Sequence, residues 1–195
     1  MVEQLISDFY HSIKAEKLKS VIDRLRDHRP RLVFDKPYDE ELIPAIHADP
    51  RQELFHPEKI RNEQCADAVV SGLLIWNDCE EESHVLAQGL NTAEGSYFHA
   101  IIHRREPDIW NSNYWFKRSG NHPVFRLMFD FVQQNVSEKL GAKLLSNKEW
   151  DPELVNTIIG EAQTNGNISD DELTAIQHAE LLFLIAHSYR HTIGS

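Results

Sequence analysis

Apolar residues return every three or four positions along most of this chain, the spacing that gives an α-helix one buried stripe. Over 3–27 the stripe is Leu5, Ile6, Phe9, Ile13, Leu18, Val21, Ile22 and Leu25, and it predicts one long amphipathic helix. From 30 to 57 the pattern lapses. Five of the eight prolines fall there, and each removes an amide donor and restricts the residue before it. An irregular connection is expected, with a short helix around 39–47.

Helical periodicity resumes after Pro57, a residue suited to a first turn, and runs through Ile60 and Val69 to Trp76, then continues or restarts as far as Gly89. Asn91 with Glu94 reads as a capping pair for a helix that Pro107 stops near Glu106. Asp108 can cap the next helix and Gly120 can end it, which makes 92–119 a helical hairpin. Pro123 starts a helix through Phe125, Met128, Phe129 and Val132 to about Leu140; Asp151 and Pro152 open another; Ser169 with Glu172 forms a capping box for a last helix reaching Gly194. No stretch alternates as a strand does. The expected fold is all-α, one helical-bundle domain over 1–195, with an N-terminal helix (1–29), the Pro-rich connection (30–57) and a helical core (58–195) around the central hairpin.

Composition agrees with a packed domain, since 41% of the 195 residues are hydrophobic and 26% charged. Disordered chains are poorer in apolar side chains. The net charge of −11 opposes phosphate backbones and anionic lipid, so neither nucleic acid nor membrane is an expected partner. No apolar run approaches the ~18 residues of a membrane span, and the N-terminus lacks a signal-peptide layout. A cytoplasmic location is expected. Cys65 and Cys79 stand fourteen positions apart without a CxxC pattern, so both are expected to be buried thiols.

The run EGSYFHAIIHRREPDIWNSNYWFKRSGNHPVF, Glu94 to Phe125, carries HRRE, a following Asp and Asn, and YWF before HPVF. It resembles the most recognisable segment of an uncharacterised family of bacterial and fungal proteins, with fainter likeness at Glu82, Ser83, His84 and near Glu180; Ser112 departs from that family's usual Ala. The resemblance implies a helical fold and no chemistry. The hairpin also resembles a single tetratricopeptide unit at Ala100, Ser112 and Phe116. However, Ser96, His99 and His103 stand where that motif has Trp, Leu and Tyr, and no second copy follows.

Three constellations can carry chemistry. His99 and His103 are four apart on one helix, with Glu106 a turn further along, a spacing that lets two imidazoles share a divalent metal. The apolar arc of that helix centres on Tyr97, Phe98, Ile101 and Ile102, which leaves the histidines facing solvent as the alternative. If the preceding helix is unbroken, Asn77, Glu80 and His84 fall on its Val69, Leu73 and Trp76 side, where Glu80 and His84 would exchange protons or join a metal. A surface ion pair is the plain alternative.

The third constellation is cationic. Between Arg104 and Arg126 five basic residues face only Glu106 and Asp108, a local +3. Arg105 lies within the apolar arc, Arg104 at its edge, and Asn111 and Arg118 line up seven apart between Tyr114 and Trp115. Glu180 shares a stripe with Leu184, His187 and His191 on the last helix. Arg104, Arg105, Asn111, Tyr114, Arg118 and Glu180 are expected to converge on a small anionic ligand, or else to close on one another as ion pairs.

Three functions follow. One is an anion-binding pocket, a hydrolase or lyase if catalytic, with Glu80 or His84 moving protons and Arg105 and Arg118 stabilising charge. The second is an interaction module displaying the Tyr and Trp of the hairpin. The third is a metal-binding protein using His84, His99 and His103. The sequence names no cofactor; a divalent metal is what the histidine spacing admits.

Overall fold

The computed structural model describes residues 2–165 and 170–194. All its regular structure among those residues is helical, as the periodicity implies. The N-terminal stripe is buried as expected, but on two helices rather than one: α1 (Val2–Ser12) and α2 (Glu16–Leu25). Ile13 and Ala15 are buried in the corner between them. The bend has a tertiary cause, because α1 packs on the last helix while α2 packs on the short helices of the connection, and no straight rod reaches both.

The Pro-rich connection holds a 3-10 turn (Glu40–Leu42) leading into α3 (Ile43–Ile46), then α4 (Gln52–Phe55). Leu42, Ile46, Leu54 and Phe55 anchor it in the core. The core begins with α5 (Glu63–Trp76), which starts later than Pro57 because Asn62 is the residue that caps it, accepting from the Cys65 amide. The helix then breaks. Asn77 spends its side chain on the Asp39 backbone, donating through Nδ2 at 2.9 Å and accepting at 3.0 Å, and Asp78 takes the left-handed conformation at φ 59°. A restart, α6 (Glu80–Gly89), follows.

Next comes the hairpin. Thr92, not Asn91, caps α7 (Ala93–Arg105) by accepting from the Gly95 amide. Asp108 caps α8 (Ile109–Ser119), which ends at Gly120 with φ 65°, a conformation glycine adopts without strain. The helix after Pro123 is split where Val136 and Ser137 leave the helical path, giving α9 (Val124–Asn135) and α10 (Glu138–Leu144). Two more complete the chain, α11 (Pro152–Asn165) and α12 (Asp170–Ile193). Ser169, half of the expected capping box, lies outside the described residues; Glu172 accepts instead from the Ser137 amide at 2.8 Å and hydroxyl at 3.1 Å.

Helices α5, α7 and α12 meet at the centre. Gly72 makes their contact possible, since a Cβ there would lie 2.5 Å from Ile185 and 2.7 Å from Phe98. Every residue of α7 from Gly95 to Arg105 is buried, so polar side chains on this helix have to be satisfied inside the protein. Both cysteines are free and buried, and burial pushes their thiols up to about 11. Among the described residues no helix is long and apolar enough to cross a membrane.

Candidate metal centre

The side of α7 opposite its apolar arc does not face solvent, because α6 and α8 cover it. His99 and His103 are only 2% and 8% exposed. His84 reaches across from α6, and ligand atoms of the three imidazoles all lie within 4.8 Å of one another. The Trp115 ring of α8 stacks on His99 with centroids 4.0 Å apart, closing that flank with an apolar wall.

Hydrogen bonding sets the proton positions. Glu106, the C-cap of α7, accepts from His103 Nδ1 at 2.7 Å, and its other oxygen is 3.8 Å from His84 Nδ1. The carboxylate holds the His103 proton on Nδ1 and leaves that ring's Nε2 as a free base. His84 Nε2 and His99 Nε2 face each other at 2.7 Å. Two bare lone pairs do not approach so closely, so a proton lies between them and the contact is an N–H···N hydrogen bond. One of the two rings supplies that proton, and His99 Nδ1 is buried with no hydrogen-bond partner among the described residues. Burial, then the neighbouring His103 and His84, lower the His99 pKa to about 3. Three imidazoles with a carboxylate hydrogen-bonded behind one of them are a donor set that suits a divalent transition metal, and three protein ligands leave a position for water or an anion.

The cationic constellation takes the ion-pair alternative in part and does not converge on one spot. Arg104 and Arg105 are consecutive on a helix and therefore point about 100° apart. Arg104 enters a buried network: it pairs with Glu180 and donates to Asn156 Oδ1 at 2.5 Å, while Tyr97 donates to the other Glu180 oxygen at 2.8 Å and Arg104 Nη2 has no partner among the described residues. Arg105 turns to the opposite side. It pairs with Asp78, donates to the Ile75 and Arg31 carbonyls at 2.9 and 3.0 Å, and lies 3.9 Å from the Phe34 ring. His28 meets the second Asp78 oxygen at 2.6 Å. Asn111 bonds its own cap, Asp108, at 2.5 Å, and Arg118 is exposed over the rings of Tyr114 and Trp115 at 5.9 and 5.2 Å.

The expected convergence of Arg105, Asn111 and Arg118 therefore does not form; two buried ion pairs and a surface stack stand in its place. The Glu80 and His84 pair does not form either. Breaking the helix at Asp78 leaves Glu80 exposed in the first turn of α6, and His84 turns to His99 and Glu106 instead. Asp78 and His28 were not distinguishable in the sequence, because Asp78 acquires its role only from the helix break. Trp115 belongs to the centre as its wall. The cover over His99 and His103 did leave a trace, for no charged residue stands between Gly95 and His103, an unusual length for a helix with a wet face.

No family model matches the chain, and no curated protein and no solved structure matches it.

Proposed function

We propose that the protein binds a divalent transition metal, zinc being the simplest case, through His84, His99 and His103, with Glu106 orienting the rings. The observation that carries this reading is the close approach of two Nε2 atoms, 2.7 Å apart, with a third imidazole and a carboxylate beside them. Without a metal the contact is an N–H···N hydrogen bond, and a metal would replace its proton once the two nitrogens spread to the ~3.3 Å of a tetrahedral pair. Three neutral nitrogen ligands leave the metal's double charge uncompensated, so water or a small anion takes the remaining position. The small anionic ligand expected from the sequence then belongs on the metal rather than among the arginines. Hydrolytic or lyase chemistry would run through that position.

The test is metal titration of protein purified without an affinity tag and stripped of metal. A saturable binding component is expected that disappears in the His99→Ala/His103→Ala double variant and weakens ~10- to 100-fold in Glu106→Gln. Equal uptake by wild type and both variants rules the centre out.

A second reading rests on the outer face of α8. Trp110 and Tyr114 are 76% and 45% exposed with rings stacked at 6.3 Å, and Arg118 lies over Tyr114. Tyr, Trp and Arg are the residues that dominate binding energy at protein interfaces. On this reading the hairpin docks a partner, and Trp110→Ala would abolish the complex while leaving metal uptake unchanged.

A further inference from the structure

Glu94, in the first turn of α7, is the hub of a second group of ligand-type side chains. Cys65 comes from the first turn of α5, and His187 and His191 from the end of α12. Donor atoms of Cys65, Glu94 and His191 lie within 4.8 Å of one another. His187 Nε2 is 3.5 Å from Glu94 Oε1, and its ring is 4.3 Å from that of His191. The C-terminal end of α12 carries the negative end of its dipole, which favours a cation beside His187 and His191.

His122 is also close, with its ligand atom in one group with those of Glu94 and His187. It is unsuited to coordinate through Nε2. Its Nδ1 accepts the Val124 amide hydrogen at 3.2 Å, so the ring proton sits on Nε2. That Nε2 is buried without a hydrogen-bond partner among the described residues, a donor left in the group that holds the Glu94 carboxylate.

We infer that Cys65, Glu94, His187 and His191 form a second metal centre, separate from the three-histidine one. It joins the ends of α5, α7 and α12 with one sulfur, one oxygen and two nitrogen donors. Thiolate and imidazole together select zinc or a metal of similar softness over magnesium or calcium. Glu94 and His99 are five residues apart, so the two centres are ~7.5 Å apart along the α7 axis at the level of the backbone. Binding here converts the Cys65 thiol to thiolate and releases its proton to solvent. The role is a staple that pins three helix ends, because four protein ligands complete a tetrahedral shell.

Cobalt(II) separates the centres, since only this one holds sulfur. Titrating the reduced, tag-free full chain with cobalt(II) is expected to raise a saturable thiolate-to-cobalt charge-transfer band, complete by two equivalents when both centres fill, and to raise the melting temperature. Cys65→Ser removes the band, and His191→Asn, at an exposed position chosen to spare the fold, weakens it at least tenfold. The band persists in His84→Asn, whose lesion lies in the other centre, so failure of one centre is read independently of the other. A folded wild-type chain without the band, or a band unchanged in His191→Asn, overturns the proposal.

Discussion

The two sides of α7 handle buried polarity in opposite ways. On the arginine side, Arg104 and Arg105 each find a carboxylate, Glu180 and Asp78, and further acceptors fill most of the remaining donors. On the histidine side, His84, His99 and His103 press against one another, Glu106 bonds His103 alone of the three, and His99 Nδ1 is left unpartnered among the described residues. A buried charge that has been answered from within is structure. A buried cluster that its own protein does not complete is the place to look for a ligand. Both sets occur in one helix and both were conspicuous in the sequence, and each leaves one buried nitrogen, Arg104 Nη2 or His99 Nδ1, without a partner among the described residues. Neither residue type nor the count of satisfied atoms therefore tells them apart; what does is that each guanidinium has a carboxylate of its own while the imidazoles meet one another.

Breaking the arginine side should have the largest effect. Glu180→Leu leaves Arg104 buried without its anion and is expected to cost ~3 to 5 kcal/mol in denaturant unfolding, whereas the double variant Arg104→Met/Glu180→Leu recovers much of that loss. Metal uptake should be unaffected in the double variant. If Glu180→Leu were neutral, the network would not be the structural element described.

A third kind of buried polar group sharpens the contrast. His178 is 1% exposed against Trp76, and both ring nitrogens have no partner among the described residues. Burial, followed by the charges of Arg29, His28 and Arg105 and opposed by Glu3, lowers its pKa to about 3. The ordinary value is ~6.5, so the unfolded chain takes up the proton that the folded one refuses. Its contribution is therefore whole above about pH 6.5 and is lost as pH falls toward 3, on the order of 3 kcal/mol by pH 4. His178→Phe is expected to flatten the fall of melting temperature over that window, and an unchanged slope would show that His178 does not drive it.

On the histidine side the effect should appear in binding rather than folding. Glu106→Gln keeps the shape but no longer draws protons to Nδ1, and a 10- to 100-fold loss of metal affinity, about 1.4 to 2.8 kcal/mol, is expected by competition titration. The smallest effect is at the exposed aromatic stack. Trp110→Ala should change unfolding by no more than about 0.5 kcal/mol; a larger loss would mean that the outer face of α8 is packed rather than displayed.

The sequence marks those helix ends that are determined locally. Pro107, the Asp108 cap, Gly120 and the Asp151 and Pro152 pair all act where they were expected to. Breaks caused by packing left no such mark. The corner at Ile13 and Ala15, the split at Val136 and Ser137, and above all the left-handed Asp78 arise because distant elements claim the neighbouring residues, as Asp39 claims Asn77. The site follows the same division. The four-residue spacing of His99 and His103 and the need of Glu180 for a cation were legible, because both are properties of one helix. That Asp78 would answer Arg105, that His84 would turn from Glu80 to His99, and that Cys65 would lie beside Glu94 depend on how helices cross, which periodicity does not encode.

The most direct test of the central claim counts one centre at a time. Tag-free Cys65→Ser protein, which lacks the sulfur ligand of the second centre, should bind one equivalent of zinc, and Cys65→Ser/His84→Asn should bind none while keeping the same helical circular dichroism. Equal zinc uptake by the two folded proteins, or none by Cys65→Ser, would show that the incomplete histidine cluster is not a metal centre.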